Sequence, residues 1–455
     1  MVANKGKSPQ GPKGYPILGN LLDVASDDRI EWFQQQLDTY GDVVRFKLFK
    51  RHVYLVNHPD LVREILVQKM DNYTKDTLSF RLVSVVLGES TFTAMGDSWK
   101  RKRQLAQPSF HKNRIANLGQ IMTDTIGQML DQWETPSQNG QVLNIAEEMM
   151  RLTLRVVVRA LFSTGLTEKE VQIVADIFTP LLEDTNYRIT LPFKFLHALP
   201  TAKNRAYQKY IDQLDEIIYR IIKDRKTTDT PYNDLLQMLM DARTEDTKEP
   251  LTDQEVRDEV MTIFIAGHET TANAMSWVWY ILSQEPTILE KVQREVATVL
   301  GDRTPTSKDF PQLEYCLKVL KETMRLYPPV PMLPRHVEQD DLLGEYDIKG
   351  GDDVFFGAYL LHRRPDFWEN PEQFDPHRFD KEKERKRHTF AYLPFGGGPR
   401  ICLGNNFALM EAVFIMAMTV QRYHLRLKPG HKVTPLITLT TRPKGGMPML
   451  IEPID

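Results

Sequence analysis

The chain has 455 residues, of which 41% are hydrophobic and 26% charged, and its formal net charge is −3. This composition is ordinary for a globular protein, and a net-acidic chain offers no general reason to bind nucleic acid. Two cysteines exclude a disulfide scaffold and predict a reducing compartment, the cytoplasm.

The composition of the N-terminal segment predicts neither a signal peptide nor a membrane anchor. Residues 1–20 are polar and rich in Pro and Gly, and they lack the apolar core of a signal peptide. No run of 18 consecutive apolar residues occurs in the chain, so we predict no transmembrane anchor. Repeats, low-complexity tracts and linkers are also missing, which predicts a single domain over residues 1–455.

The predicted elements are mainly helical, with a smaller β-rich part built from both ends of the chain. Residues 43–57 alternate and are rich in Val, Phe and Tyr, which predicts two short strands before a helix that begins at Pro59. Apolar residues at helical spacing then occur in segments 113–135, 142–162, 167–184, 201–226 and 252–286. We assign the β-rich part to about 40–58 and 330–360 plus a C-terminal hairpin, and the helical body to about 97–330 and 402–421.

The segment FGGGPRICLG, residues 395–404, places Cys402 behind three glycines and just before a predicted helix. A helix N-terminus carries unpaired N–H groups and the positive end of the helix dipole, and both stabilise a thiolate. Gly396 and the two glycines after it allow the backbone to approach a flat ligand closely, and Arg400 adds a cation. These features suit a metal-binding thiolate beneath a planar cofactor. A buried structural cysteine and a catalytic nucleophile are the alternatives.

This segment resembles the haem-ligating loop of the cytochrome P-450 family, the haem-thiolate monooxygenases. The family pattern Phe-x-x-Gly-x-x-x-Cys-x-Gly is matched by Phe395, Gly398, Cys402 and Gly404. The resemblance implies haem b as cofactor, with Cys402 as the axial ligand of its iron, and Phe395, Gly396, Arg400 and Gly404 as further cofactor-binding residues. It also implies the cytochrome P-450 fold, mainly α with a smaller β-rich part, in which haem lies between a long central helix and the Cys-ligand loop.

The long helix predicted over residues 252–286 has sharp ends in the sequence. Thr252 and Glu255 form a capping-box pattern, and Pro286 marks the C-terminal end. At 1.5 Å per residue this helix is roughly 50 Å long, enough to cross a whole domain.

The sequence AGHETT in the middle of this helix combines small residues with an acid and an alcohol. Ala266 and Gly267 leave space, and Glu269 precedes Thr270. A small-residue helix crossing, with Thr270 bonded to its own turn, is the structural alternative. The segment is similar to the family's oxygen-binding motif, Ala/Gly-Gly-x-Asp/Glu-Thr. The similarity implies that these four residues are catalytic and guide protons to bound dioxygen.

Glu322 and Arg325 are neighbours on a predicted helix, because three residues separate them. They resemble the family's Glu-x-x-Arg motif, and Arg378 in FDPHRF resembles the arginine that completes a buried triad. We assign these three residues to folding and haem retention. The same spacing recurs in the charge run 381–388, where we expect solvated side chains.

Trp99 and Arg103 in WKRKR share one helix face. A solvated face or a nucleic-acid patch would also explain this basic run, but the net-acidic chain has no second such cluster. The pair matches the family's Trp-x-x-x-Arg, which implies binding of haem propionates. Arg335 in MLPRHV resembles another propionate-binding arginine, and it joins Arg400 in that role.

The resemblance extends from about residue 11 to the C-terminus and implies a monooxygenase. Such an enzyme activates dioxygen and inserts one oxygen atom into a C–H bond of a small organic substrate, by hydroxylation or oxidative O-demethylation. Its electrons come from NAD(P)H through a ferredoxin or flavodoxin type donor and its reductase, since this chain contains no fused reductase. We expect an acidic donor to dock on Lys100–Lys102, Lys112 and Arg114, and we expect a monomer.

The substrate is less determined than the reaction. The family's recognition loop falls near residues 71–95, which mix apolar and charged side chains. Lys50 and Tyr54 lie close to the place where a basic residue and a tyrosine hold the carboxylate in related fatty-acid hydroxylases, and an ordinary strand edge is the alternative. Two other classes stay open: a peroxygenase or isomerase that needs no external electrons, and a non-catalytic haem sensor.

Overall fold

The computed structural model describes residues 6–163, 167–190, 197, 199–228, 232–244 and 248–454. Its longer helices are Arg29–Tyr40, Leu78–Leu87, Gly96–Ala106, Gly119–Gln132, Ile145–Phe162, Glu168–Thr190, Ala202–Thr227, Asp253–Gln284, Pro286–Leu300, Glu314–Leu326 and Asn405–Arg422. Shorter α-helices are Leu21–Ala25, Pro59–Arg63, Lys112–Asn117, Glu134–Gln138, Leu235–Asp241, Ala358–Leu361 and Lys381–Lys386, with a π-helix at Glu64–Gln68. Helices of the 3-10 type are Gln107–Phe110, Phe310–Gln312, Pro376–Phe379, Thr389–Ala391 and Gly398–Arg400.

The strands are Val43–Leu48, Arg51–Val56, Tyr73–Thr74, Val142–Asn144, Leu333–Val337, Asp341–Leu343, Tyr346–Ile348, Asp353–Phe356, Tyr423–Leu427, Pro435–Ile437, Thr441–Pro443 and Pro448–Pro453. The chain divides into two compact units. The first comprises the residues up to Phe80, Lys321–Cys402 and Pro435–Arg442, and the second comprises Arg81–Leu320, Leu403–Thr434 and the residues from Pro443.

The first unit is built on a five-stranded sheet. Its strand order is Val43–Leu48, Arg51–Val56, Asp353–Phe356, Leu333–Val337, Tyr73–Thr74. The first two strands pair antiparallel, and Arg51–Val56 then pairs parallel with Asp353–Phe356. Side chains alternate between the two faces of a strand, so Val44 and Phe46 pack with Phe33 of the helix Arg29–Tyr40, whereas Val43 belongs to a second core with Val62. Both faces of the sheet are therefore buried.

The second unit is helical and carries a small sheet. Its long helix, Asp253–Gln284, packs along Ile145–Phe162, and Asn405–Arg422 packs against Gly119–Gln132. The strand Pro448–Pro453 lies between Val142–Asn144 and Tyr423–Leu427, antiparallel to both. Side chains are buried all round much of the long helix, which explains its apolar composition.

The fold class predicted from the sequence, mainly α with a smaller β-rich part, is confirmed. The predicted capping box is also present: the Thr252 hydroxyl accepts from the Glu255 N–H at 3.2 Å, and the Glu255 carboxylate accepts from the Thr252 N–H at 2.9 Å. Among the described residues, no helix combines the length and the apolar character needed to cross a bilayer. The single-domain assignment of residues 1–455 stays a prediction.

One local prediction needs correction. The helix predicted to begin at Pro59 is α-helical only over Pro59–Arg63 and continues as a π-helix over Glu64–Gln68. The predicted C-terminal hairpin is present and pairs Pro435–Ile437 with Thr441–Pro443, whereas the last strand, Pro448–Pro453, joins the three-stranded sheet of the second unit.

Candidate functional site

The loop around Cys402 is closed by its own backbone. The Cys402 N–H donates to the Phe395 carbonyl at 3.0 Å, and the Ile401 N–H donates to Gly398 at 3.1 Å. Gly396 and Gly398 both have positive φ, +72° and +69°. A Cβ at Gly398 would lie 2.5 Å from the Leu66 carbonyl oxygen, so this glycine is needed for both its dihedral angle and its close packing.

The two cysteines differ sharply in their surroundings. Cys402 is exposed on this loop, three residues before the helix that begins at Asn405. Cys316 is fully buried in the second unit, and burial raises the pKa of its thiol well above the ordinary value, with Glu295 adding to the rise. Cys316 is therefore a neutral core residue. Of the two thiols, Cys402 is the one exposed to solvent.

Arg335 is a buried cation beside another cation. It lies on the strand Leu333–Val337, is 5% exposed, and donates from Nη1 to the Pro334 carbonyl at 2.8 Å. Burial, together with the nearby charge of Arg400, lowers the pKa of Arg335 to about 9. No carboxylate of the described residues forms an ion pair with Arg335. A buried guanidinium needs a compensating anion, so this site fits a ligand that carries carboxylates.

The neighbouring His336 has a structural partner instead. Its Nδ1 lies 2.9 Å from the Asp353 carboxylate, across the strand pair that joins Leu333–Val337 to Asp353–Phe356. Burial raises the pKa of Asp353, and His336 offsets part of this rise. His336 therefore belongs to the sheet.

Glu322, Arg325 and Arg378 meet in the first unit, as the sequence predicts. Glu322 and Arg325 are fully buried, and the guanidinium donates to both carboxylate oxygens at 2.7 and 2.8 Å. The Nε of Arg378 lies 3.3 Å from Glu322 Oε1, an ionic contact. Arg325 also donates to the carbonyls of His362, Pro371 and Gln373. The cluster thus ties a helix to the irregular segment that follows residue 362.

The charge run 381–388 is not solvated throughout, contrary to the sequence-based expectation. Arg387 lies 4.0 Å from the centre of the Trp368 ring and donates to the Arg378 carbonyl at 2.6 Å. Burial lowers the pKa of Arg387, and Glu384 pairs with Lys321 at 2.7 Å. Arg387 therefore contacts Arg378 of the triad, because the irregular segment folds back onto it.

The acid–alcohol pair lies in the middle of the long helix. Glu269 and Thr270 are half-buried, Ala266 is exposed, and the Thr270 hydroxyl donates to the Ala266 carbonyl at 2.7 Å. This bond is the back-bonding expected in the structural alternative, and it also sets the direction of the hydroxyl. Close packing explains the glycine at position 267, since a Cβ there would lie 2.9 Å from a methyl group of Val157.

Trp99 and Arg103 lie on the helix Gly96–Ala106. Trp99 is buried and Arg103 half-buried. Between them, Lys102 is only 2% exposed, and its amine donates to the Glu89 carbonyl. Arg101 pairs with Glu255 at 2.7 Å. Lys102 is therefore too buried to contribute to the expected docking surface, and the charge of Arg101 is offset by its ion pair with Glu255.

Tyr54 does not fit the role suggested by fatty-acid hydroxylases. Its side chain is 1% exposed within the core of the first unit, and its hydroxyl donates to Asp352 at 3.3 Å. Lys50 is exposed in the turn between the first two strands. The alternative reading, an ordinary strand, is therefore the better account of Tyr54.

Buried acids of the second unit are residues that the sequence analysis missed. Burial raises the pKa of Glu411 well above its ordinary value, with the nearby Thr271 hydroxyl acting the other way. Asp258 and Glu259 are also buried on the long helix. The signal in the sequence was present, since Glu411 is the one acid in the apolar helix Asn405–Arg422.

Within the described part of the chain, no three His, Cys, Asp or Glu side chains are grouped so that they could hold a metal ion. A porphyrin with two carboxylates suits both the single thiol and the buried Arg335.

Comparisons with known proteins give one consistent result. The cytochrome P450 family model matches residues 9–449. Cyclooctatin synthase and cyclooctat-9-en-7-ol 5-monooxygenase, both from Streptomyces melanosporofaciens, are 34% and 32% identical over 97% of this chain and over 95% and 94% of their own lengths. The crystal structure of the cytochrome P450DA heme domain superposes with a TM-score of 0.88 at 25% identity and covers 99% of each chain.

Proposed function

The chain belongs to the cytochrome P450 family and is a monooxygenase of that family, and from this premise we propose that it hydroxylates a C–H bond of a cyclic, largely hydrocarbon substrate. The observation that carries the assignment of its centre is the exposed thiol of Cys402, in a loop that matches the family pattern. The only other thiol, Cys316, is buried and neutral.

We assign haem binding to the loop around Cys402 and to a set of cationic and aromatic side chains. The thiol of Cys402 would bind the haem iron as a thiolate, and Phe395, Gly396 and Gly404 would complete the cofactor-binding segment. Arg335 and Arg400 neutralise the propionates, which would relieve the uncompensated burial of Arg335. Trp99 and Arg103 are further propionate-binding residues, assigned on the family motif.

Proton transfer is the task we assign to the acid–alcohol pair. When bound, haem with a thiolate ligand supplies dioxygen activation and favours O–O cleavage. Thr270 directs its hydroxyl proton to the Ala266 carbonyl, so its oxygen lone pairs are free to accept a proton. When Glu269, half-buried beside it, gives a proton to the Thr270 oxygen, the original hydroxyl proton is released toward the active site, and Glu269 takes up a new proton from solvent. Ala266 and Gly267 keep this stretch of helix free of bulk.

Replacing Thr270 with alanine tests this role. We expect product formation to fall by about 100-fold, because one positioned proton-transfer group is lost. Consumption of NAD(P)H should continue, with hydrogen peroxide replacing product. Thr270→Ser is the matched control, since it keeps the hydroxyl and should keep the ratio of product to NAD(P)H. Equal ratios in the alanine and serine variants would remove Thr270 from the mechanism.

The proposed substrate class is supported by the names of two relatives and by exposed apolar side chains in the second unit. One relative is named for hydroxylation of cyclooctat-9-en-7-ol, a cyclic unsaturated alcohol. In this chain Val85, Phe92 and Met95 are exposed within the predicted recognition loop, at 55%, 40% and 41%. Tyr54 is buried in the core, so it does not support binding of a fatty-acid carboxylate. We therefore propose a cyclic hydrocarbon alcohol over a fatty acid.

Spectral titration of the haem-loaded protein tests the substrate class. Cyclooctat-9-en-7-ol should shift the haem to high spin and should be hydroxylated with a surrogate ferredoxin system. A long-chain fatty acid serves as the comparison compound. A high-spin shift with the fatty acid alone would overturn the proposed class while leaving the monooxygenase assignment intact.

Electrons reach this enzyme, in our proposal, from NAD(P)H through an acidic ferredoxin or flavodoxin. Its docking surface is centred on Lys112 and Arg114, which are exposed on the helix Lys112–Asn117, with Lys100 as a further exposed cation. Lys100 lies 3.0 Å from Asp97, so its charge is partly offset. This surface is smaller than the one expected from the sequence.

Reversing both charges, in Lys112→Glu with Arg114→Glu, should slow haem reduction by about tenfold at low salt. The same change should flatten the dependence of the reduction rate on ionic strength, since long-range attraction is screened by salt. Lys169→Glu, on the separate helix Glu168–Thr190, is the control and should leave both quantities unchanged. An unaltered salt dependence in the double variant would place the donor elsewhere.

A further inference from the structure

Three consecutive charged residues of the long helix hold the segment that runs from Val86 to Thr91. Arg257 Nη1 donates to the Val86 carbonyl at 2.9 Å, and Asp258 Oδ2 accepts from the Glu89 N–H at 2.9 Å. Glu259 Oε1 accepts from both the N–H and the hydroxyl of Thr91, at 2.6 and 2.7 Å. Nearly all of these bonds go to the backbone, so they fix the path of the segment whatever its side chains are.

The contact is close and buried. The side chains of Arg257, Asp258 and Glu259 are almost completely buried. Gly88 has a positive φ of +59°, and a Cβ there would lie 2.1 Å from Asp258 Oδ1. Only glycine allows the segment to approach the helix this closely.

The charges around Glu259 come from several elements. Lys102, on the helix Gly96–Ala106, donates to the Glu89 carbonyl and lies 3.7 Å from Glu255. Arg257 pairs with Asp215 of the helix Ala202–Thr227 and with Asp258 at 3.1 Å. Lys102 favours the ionised form of Glu259, whereas Asp258 opposes it. Glu259 thus lacks a direct ion-pair partner among the described residues.

We propose that Arg257, Asp258 and Glu259 form a latch that closes residues 86–91 on the long helix, and that the protonation state of Glu259 sets how firmly it closes. Glu259 is a positioning residue in this view, not a catalytic one. The latch deepens the proposed function, on which it rests for its meaning, because residues 86–91 lie between Val85 and Phe92, exposed apolar side chains of the predicted recognition loop.

The geometry determines which form closes the latch. Both hydrogen bonds from Thr91 end on Oε1, so Oε2 can carry a proton without the loss of either bond. Burial raises the pKa of Glu259 to about 7, against a partial lowering by Thr91 and Lys102. A carboxyl with a higher pKa when buried than when hydrated favours the closed state at low pH. Raising the pH through 7 therefore loosens the latch.

Hydrogen exchange of the haem-loaded, full-length protein measures this opening. The Glu89 and Thr91 amides report on it directly, in peptides that cover residues 81–95. With a pKa of about 7 when closed and the ordinary value when open, protection should fall by about tenfold between pH 6 and pH 8, after correction for intrinsic exchange.

Glu259→Gln is the decisive variant. The amide keeps Oε1 as acceptor and mimics the protonated acid, so protection should stay high and independent of pH. Glu290→Gln is the matched control on the exposed face of another helix, and it should keep the wild-type pH dependence. If Glu259→Gln fails to bind haem, Thr91→Val serves as the second variant. Loss of the Thr91 hydroxyl removes a hydrogen bond that favours ionised Glu259, so the fall in protection should extend to higher pH.

Protection that is constant with pH in the wild type would overturn the latch, as would an unchanged pH dependence in Glu259→Gln. The readout does not depend on turnover, which separates this proposal from the proposed function. If protection depends on pH but the protein hydroxylates no cyclic alcohol, the latch stands and the proposed substrate class is wrong. If the protein hydroxylates a cyclic alcohol but protection does not depend on pH, the proposed function stands and the latch is wrong.

Discussion

Replacing Cys402 with serine will abolish the red-shifted Soret band of the reduced, carbon monoxide-bound protein. A serine hydroxyl is not ionised near neutral pH and cannot replace the thiolate as the axial ligand. Monooxygenase activity should fall to the level of the reductase system without enzyme. The absorption spectrum of purified protein, recorded with equal haem loading, checks both the ligand and the amount of cofactor.

Cys316→Ala is the control for this experiment, since it removes the other thiol. Cys316 is buried, and burial holds its pKa well above the ordinary value, so it makes no thiolate. We expect the red-shifted band to persist in this variant, with a loss of unfolding free energy of about 1 kcal/mol from the small cavity. A normal band in Cys402→Ser, or its loss in Cys316→Ala, would contradict the assignment of the ligand.

Replacing Glu322 with glutamine should give the largest loss of stability of any single substitution considered. Glu322 is fully buried and faces Arg325 at 2.7 Å and Arg378 at 3.3 Å. Removing the one negative charge leaves two guanidinium groups uncompensated in the interior, which costs about 3–5 kcal/mol. The amide NH2 group would also face the Arg325 Nε donor, so the bonds by which Arg325 holds the segment after residue 362 should weaken as well.

Denaturant unfolding of the haem-loaded protein measures this loss, and the rate of haem transfer to apomyoglobin measures the looser site. Glu382→Gln is the matched control: it removes an exposed acid, three residues from an arginine, on the short helix Lys381–Lys386. Its effect should stay within about 0.5 kcal/mol. Equal effects of the two substitutions would mean that the buried cluster does not stabilise the fold.

Local sequence patterns predicted the elements that depend on neighbours in the chain. The capping box at Thr252 and the proline at residue 286 set the ends of the long helix, because capping involves groups within one turn. Alternation predicted the strands within 43–57, because successive side chains point to opposite faces. The π-helix after Arg63 has no comparable local signal.

Contacts between distant segments needed the tertiary structure. Lys102 reads as one of four basic residues in a row, yet it is buried, because its amine finds the Glu89 carbonyl and lies near Glu255. Arg387 reads as part of a solvated charge run, yet it packs on Trp368. Both side chains bury their aliphatic stems and keep a polar partner, which composition does not reveal.

The sequence alone determined the order of elements, the family resemblance and the choice of Cys402 as the candidate ligand, because these depend on residue type and on spacing along the chain. Only the tertiary structure decided which charges are buried, which glycine serves packing, and that residues 257–259 close on residues 86–91. Those outcomes depend on burial and on pairing across more than a hundred residues, and desolvation acts on a charged group only once the fold has removed it from water.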